Sequence, residues 1–211
     1  MLLLDTEELK SAEHILKGLF PESIKVYGCL FNINRGVDIR HLDAVKELAV
    51  CNNTPTKMGE TVFVMTLEDA SHLKGPERDL ASGLSTLTTA HAEMVNSVWK
   101  YESSKSSYNS VVSYISNYPS LCVTAEDGTP LSWLLLYHHG ALGRLYTVPE
   151  HRRKGHARLL LSTMARALLE QGRPVYGFVE DDNDASYSLF TSLGFSHKPD
   201  YRAVWFQLNP R

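Results

Sequence analysis

The segment Leu145-Tyr-Thr-Val-Pro-Glu-His-Arg-Arg-Lys-Gly-His-Ala157 constrains this chain more than any other. It reads as a strand running into a basic, glycine-punctuated turn, which then opens a long helix. Such a turn gathers backbone N–H groups at a helix N-terminus, where the aligned peptide dipoles favour negative charge. Arg152, Arg153, Lys154 and Arg158 surround those donors with cations. Gly155 lets the backbone come close to a ligand, and Ala157 keeps the first helical turn narrow. These residues suggest a phosphorylated guest, with a plain solvated basic face as the competing reading.

Composition decides how local this patch is. The net charge over 211 residues is −3, so the positive patch is not part of a generally basic protein, which argues against nucleic acid as a partner. A hydrophobic fraction of 43% supports a sizeable core. Cys29, Cys51 and Cys122 lack metal-ligand spacing and suggest a reducing compartment without a disulfide framework. The nine histidines are scattered, so no metal site is expected. No apolar run reaches membrane-spanning length. The N-terminus turns acidic at Asp5, Glu7 and Glu8, unlike a secretory signal or a transit peptide.

Along the chain, Asp5 and Glu8 begin a helix with Leu9, Ala12, Leu16 and Leu19 on one face, ended by Pro21. Residues 24–33 read as a strand closed by Asn34-Arg35-Gly36. A helix is expected over 39–50 and a short strand over 61–67. Lys74-Gly75-Pro76-Glu77 marks a boundary. Residues 1–80 therefore form a thin N-terminal region, and 81–211 form the main domain. In that domain helices are expected at 88–99 and 108–117. Strands 121–125 and 131–138 flank an Asp127-Gly128 hairpin turn. A strand at 141–147 leads into the basic turn. The helix after it ends at Gly172 with Pro174 beyond. A strand at 175–179, a helix at 185–193 and a strand at 201–208 complete a mixed α/β sheet.

This order resembles the GNAT superfamily of acyl-CoA-dependent N-acyltransferases. The resemblance rests on the hairpin, on the strand running into Arg152-x-x-Gly155-x-Ala157, and on the helix behind it. It rests also on Asn183-x-x-Ser186-x-x-Leu189-Phe190-x-x-x-Gly194-Phe195 after the next strand. The segments Phe20–Gly28, Asn32–Gly36, Ala90–Asn96 with Trp99, and Gly128–Trp133 are similar to the glycine N-acyltransferase-like family. The resemblance implies a mixed, mostly antiparallel sheet flanked by helices, with a truncated N-terminal α/β segment. A longer stretch found in that family after the Asn-Arg-Gly turn is missing here.

What the resemblance implies is transfer of an acyl group from acyl-CoA to the amine of glycine or another amino acid. Acyl-CoA would be a co-substrate, with no permanently bound cofactor. The alternatives are a CoA-binding protein with little catalysis, or an acyltransferase for a protein lysine or polyamine. The pyrophosphate would lie on backbone N–H groups of Arg153, Lys154, Gly155, His156 and Ala157, with Arg152 and Arg158 as charge partners. Backbone groups of Leu145 and Thr147 would pair with the pantetheine arm. A bulge in that strand would aim an N–H at the thioester carbonyl. Asn183 and Phe190 would also contact the cofactor, Asn183 competing with a role as helix N-cap.

Two expected proton carriers are absent from the matching positions. The family's glutamate base falls on Ala141, and its tyrosine acid falls on Phe190. His139, with His138 beside it, and Tyr187 are the substitutes, each with a simple turn or packing role as the rival. Glu180, Asp181 and Asp182 read as a solvated acidic turn, or as a guide for the amine. A monomer is expected. The family suggests a mitochondrial location, whereas the N-terminal composition suggests cytoplasm.

Overall fold

The computed structural model describes residues 37–38, 50, 56–74, 83–100 and 105–208. The helix expected from Asp5, the strand expected at 24–33 and all but the last residue of the helix expected at 39–50 lie outside them. In chain order the elements are β1 (Val37–Asp38), β2 (Thr56–Leu67), β3 (Leu84–Ser85), α1 (Ala92–Ser97) and α2 (Lys105–Asn117). Next come β4 (Ser120–Thr124), β5 (Pro130–Leu136), β6 (Leu142–Thr147) and α3 (His156–Glu170). The last are β7 (Val175–Glu180), α4 (Asp184–Ser192) and β8 (Ser196–Leu208). Among the described residues the eight strands run in mixed directions and are flanked by helices. The chain divides into two compact units, one of 67–178 with 185–196 and the other of 1–66 with 179–184 and 197–211.

The first of these units carries the strand order β7-β6-β5-β4-β3. Neighbours from β3 to β6 are antiparallel, and β6 runs parallel to β7. Strand β5 is buried from Ser132 to Leu136, which accounts for its unbroken apolar run. Its alternate residues Trp133 and Leu135 pack in one cluster with Leu87, with Ala92 and Val95 of α1, and with Val111 and Tyr114 of α2. Helix α3 packs on β4, β5 and β6 through the stripe Leu160, Leu161, Met164, Ala165 and Leu168. Burial of that stripe places the N-terminus of α3 at the end of β6.

Several boundaries differ from the sequence expectation, among them the start of α2, at Lys105 instead of Tyr108. The helix expected at 88–99 is a 3-10 turn at Thr89–His91 followed by the six-residue α1. The Thr88 N–H donates to His91 Nδ1 at 3.0 Å, closing that turn ahead of the helix. The strand expected at 61–67 starts five residues earlier, at Thr56, and β8 starts at Ser196 instead of Tyr201. The Asp-Gly hairpin turn lies where expected. Gly128 adopts φ 85°, and the Asp127 side chain accepts from the Thr129 N–H at 2.9 Å.

The second unit carries the order β1-β8-β2, with Val37 opposite Val204 in an antiparallel pair. Here the Arg202 guanidinium lies 4.0 Å over the Phe63 ring and is ion-paired with Asp181. Asp181 is therefore bound within its own unit and is more than part of a solvated acidic turn.

Candidate functional site

Strand β6 does not run evenly beside β5. Trp133 lies opposite Tyr146, but Leu135 lies opposite Gly143, so two residues of β6 face one residue of β5. The extra residue makes a β-bulge at Arg144–Leu145. Arg144 adopts φ 50°, the left-handed region that a non-glycine residue occupies at some cost. Its side chain is buried and held in place. The guanidinium lies 4.5 Å over the Trp99 ring, and Nη2 donates to Ser107 Oγ at 3.4 Å. On the other edge of β6, among the described residues, the ladder with β7 comes to the one pair of Leu142 and Gly177.

At the far end of β6, Pro149–His151 forms a 3-10 turn and the chain enters the basic segment. Arg153 has φ 62° and Gly155 has φ 86°, while Lys154 between them has no positive φ. Alternation of backbone handedness of this kind is what turns successive N–H groups toward one point in anion-binding concavities. Gly155 is the N-cap of α3 and, as a glycine, has no side chain with which to cap the first-turn N–H groups. A Cβ built on Gly155 meets nothing within 4 Å, so the glycine answers to its φ and the approach in front of it is open.

The basic side chains divide into two kinds. Arg152 Nε donates to the Thr147 carbonyl at 3.1 Å, and its guanidinium lies 5.7 Å from the Tyr146 ring centre. Arg158 Nη1 donates to the Lys74 carbonyl at 3.0 Å and Nη2 to Ser192 Oγ at 2.5 Å. Both arginines, expected as charge partners of a ligand, thus also hold the protein's own loop ends. Arg153 and Lys154 are exposed beside Gly155.

His156, the first residue of α3, is half-buried, with its ring 6.4 Å from that of His151. Burial first, then the charges of His151 and Lys154, hold its pKa below the ordinary histidine value. The unfolded chain therefore takes up this proton more readily than the folded one. The contribution of His156 to stability is full above its unfolded pKa of about 6.5 and declines as the pH falls below that. Thermal melts are expected to show a falling Tm from pH 7 toward pH 5, and His156→Asn should flatten part of that fall. An identical profile in the variant would dismiss the effect.

The other sequence-predicted residues are spread over three places. Ala141, in the position where a base was expected, is fully buried. His138 and His139 lie in the turn between β5 and β6, within a ring cluster instead of an open polar turn. His138 stacks on Tyr114 at 5.8 Å, and His139 lies 5.9 Å from Phe178 and 6.4 Å from Tyr176. Phe190 of α4 is buried and packs on β7, where a Cβ at Gly177 would come 3.0 Å from its ring. Tyr187 lies one helical turn earlier and is half-buried. Asn183 directly precedes α4 and belongs to the other unit, where its N–H donates to the Glu180 carbonyl at 3.0 Å.

Sequence reasoning passed over Arg144 and Tyr176. A charged residue after Gly143 in an otherwise apolar strand was the available sign of the bulge. Tyr176 carried no such sign. Among the described residues, no group of three or more His, Cys, Asp or Glu is placed to hold a metal ion, and no helix is long and apolar enough to cross a membrane.

Comparison with known proteins covers this same region. Residues 122–205 match the FR47-like protein family. The chain is 30% identical over 122 residues to bovine glycine N-acyltransferase, covering 58% of this chain and 41% of that enzyme. The human glycine N-acyltransferase is 26% identical over 184 residues, 79% of this chain and 61% of that one. The mouse glycine N-acyltransferase-like protein Keg1 is 32% identical over 59% of this chain and 41% of its own length. The chain thus spans about two fifths of the bovine and mouse relatives. Among solved structures, a Drosophila protein superposes with a TM-score of 0.70 at 23% identity, over 83% of this chain and 59% of that one. A putative acetyltransferase of the GNAT family from Novosphingobium aromaticivorans gives 0.56 at 15% identity, over 72% and 67% of the two chains. These likenesses establish the fold.

Proposed function

From the premise that this chain is a relative of the glycine N-acyltransferases with a GNAT-type fold, we propose that it transfers an acyl group from acyl-CoA to the amine of a small amino acid such as glycine. One observation carries the reading. A strand that is bulged at Arg144 and pairs with β7 only near its start leads directly into an open, anion-directed turn at the head of α3. That is the layout a long molecule needs if it has a phosphorylated end and a reactive far end.

In this reading the N–H groups from Arg153 to Ala157 hold the pyrophosphate, and Arg153 and Lys154 supply the nearest exposed charge. Arg152 and Arg158 keep the turn in shape while adding to its field. Backbone groups of Leu145 and Thr147 pair with the pantetheine arm along β6, and Phe190 lines its course. The bulge turns a β6 N–H away from β5 and toward the thioester carbonyl, where negative charge grows during attack. The thioester is already activated, so the protein's work is binding, orientation and electrostatics.

The chemistry needs a free amine. His139 takes one proton from the substrate ammonium. The amine nitrogen then bonds to the carbonyl carbon and the carbon–sulfur bond breaks. The leaving thiolate takes the second nitrogen proton, with Tyr187, one helical turn before Phe190, as the hydroxyl that relays it. His139 returns its proton to water.

The side chains of Ala141 and Phe190, neither able to carry a proton, favour a second reading in which the chain binds CoA with little turnover. Thiol release from acetyl-, benzoyl- and longer acyl-CoA, with and without glycine, other amino acids, a polyamine and a lysine peptide, separates the two. Release that depends on an amino acid is the expected result. CoA binding without amine-dependent release from any donor would overturn the acyltransferase assignment.

A further inference from the structure

We propose that the basic turn takes up a proton together with its anionic ligand, and that the imidazole of His156 carries it. This rests on the reading above that the turn seats the diphosphate of coenzyme A, and it concerns how that seat responds to pH.

The placement of the ring comes first. His156 opens α3, between the N-cap Gly155 and Ala157. Its own backbone N–H is one of those assigned to the diphosphate. Few bonds separate that N–H from the imidazole, so an anion bound there lies within about 8 Å of the ring. Charges still act on one another over that distance at physiological salt.

Three features of the protein disfavour charge on this ring. It is half-buried, and it stands at the positive end of a helix dipole. It also has cations and a second imidazole for neighbours. His151 closes the preceding 3-10 turn, and its ring lies 6.4 Å away with the planes inclined at 33°. Lys154 stands exposed in the turn itself. His151 and Lys154 are the charged groups that act on His156, and among the described residues no carboxylate does so. Glu150, in the same 3-10 turn as His151, is exposed. Of the remaining cations, Arg153 is exposed, Arg152 is drawn to the Thr147 carbonyl, and Arg158 to the Lys74 carbonyl and Ser192. Together with burial, these neighbours keep the ring neutral at physiological pH.

A diphosphate reverses the balance. It is ionised at both phosphates, so it offsets the repulsion from Lys154 and His151 and gives an imidazolium an opposite charge. Its arrival should raise the affinity of His156 for a proton about tenfold. His151 stands outside the set of N–H donors, and charge on it opposes charge on His156, so the pair takes one proton and not two. By linkage, a site that holds a proton more tightly when occupied holds its ligand more tightly when protonated. Protonation of His156 therefore costs the folded chain stability yet strengthens its grip on the ligand. Coenzyme A is gripped more firmly as pH falls, whereas the acceptor amine loses its proton more readily as pH rises. Binding and chemistry thus pull the pH dependence of turnover in opposite directions.

Titration calorimetry of the full chain with dephospho-coenzyme A tests this. That probe keeps the diphosphate and lacks the phosphate monoester that would itself titrate. At pH 6.5, in buffers of different ionisation enthalpy, the native protein is expected to take up about half a proton per ligand bound. Its affinity should be about three- to fivefold higher at pH 6 than at pH 8. His156→Asn should lose both the uptake and this pH dependence, while His151→Asn should keep both. Nuclear magnetic resonance titration of the histidine ring protons, assigned with the same variants, reads the group directly. The His156 midpoint should lie higher with the probe bound than without it. Binding with no proton uptake in the native protein would overturn the inference, and so would uptake that survives in His156→Asn. Failure of the diphosphate reading is a separate result, visible as no binding of the probe at any pH, and it would remove this inference as well.

Discussion

Reversing the two exposed charges of the basic turn, Arg153→Glu with Lys154→Glu, should weaken binding of free coenzyme A by about 10²–10³-fold. Each cation contributes on the order of 1.5–3 kcal/mol when it meets a phosphate oxygen through a charge-assisted hydrogen bond. The substituted carboxylates add repulsion in the same small volume. Both side chains are exposed, so the substitution leaves the core of α3 in place. Titration calorimetry with free coenzyme A, at low and at physiological salt, reads the effect, and a melting curve confirms the fold. The remaining affinity should depend less on salt than in the native protein, because fewer charges meet the ligand. Undiminished affinity in a folded variant would refute the pyrophosphate assignment.

The second large effect concerns stability. Gly194→Ala should cost about 3–5 kcal/mol, which in a chain of this size lowers Tm by roughly 10 °C. Gly194 ends α4 with φ 96°, its N–H donating to the Thr191 carbonyl at 3.0 Å while the Phe195 N–H donates to that of Phe190 at 3.1 Å. These are the paired bonds of a helix end that turns left-handed, where glycine is preferred. Position alone would cost an alanine about 1–2 kcal/mol. The larger part comes from the neighbour, since a Cβ there would lie 1.8 Å from the backbone carbonyl oxygen of His72. Backbone cannot turn aside as a side chain can, so the loop Ala70–Lys74 must lift off the end of α4. Gly155→Ala provides the control, because that glycine has a similar φ of 86° but no atom within 4 Å of its Cβ. Equal melting temperatures for the two variants would show that the His72 contact is immaterial.

Much of the fold was legible because local chemistry and packing agree. The hairpin at Asp127-Gly128, strand β6, helix α3 with its stop at Gly172, and the Gly194-Phe195 helix end all carry their own signals of turn chemistry and spacing. At Gly172, φ is 65° and the Arg173 N–H reaches the Leu168 carbonyl at 2.9 Å, as the sequence Gly-x-Pro leads one to expect. Helix boundaries at Thr88–Trp99 were less legible, since a His91 ring that accepts from a backbone N–H looks in sequence like any polar helix residue. The basic turn could be read for its charge, but not for how that charge is shared. Nothing local distinguishes Arg158, whose partners are distant in the chain, from Lys154, which is exposed. The bond between His139 and Tyr176 was equally hidden, because it joins residues 37 positions apart whose meeting depends on which strands become neighbours.

The two bonds of Arg158 also bear on the order in which the chain acquires its structure. One reaches back 84 residues to Lys74 and the other forward 34 residues to Ser192. Helix α3 can form from its own sequence, but this side chain finds its partners only after both distant segments have returned to it. Closing such long loops is entropically costly early in folding, so these bonds are expected to form late. Their strength then acts on the rate at which the native chain opens and hardly at all on the rate at which it forms. Arg158, in the first turn of α3, is therefore expected to act as a latch on lifetime, a fastening last to arrive and first to be felt when lost.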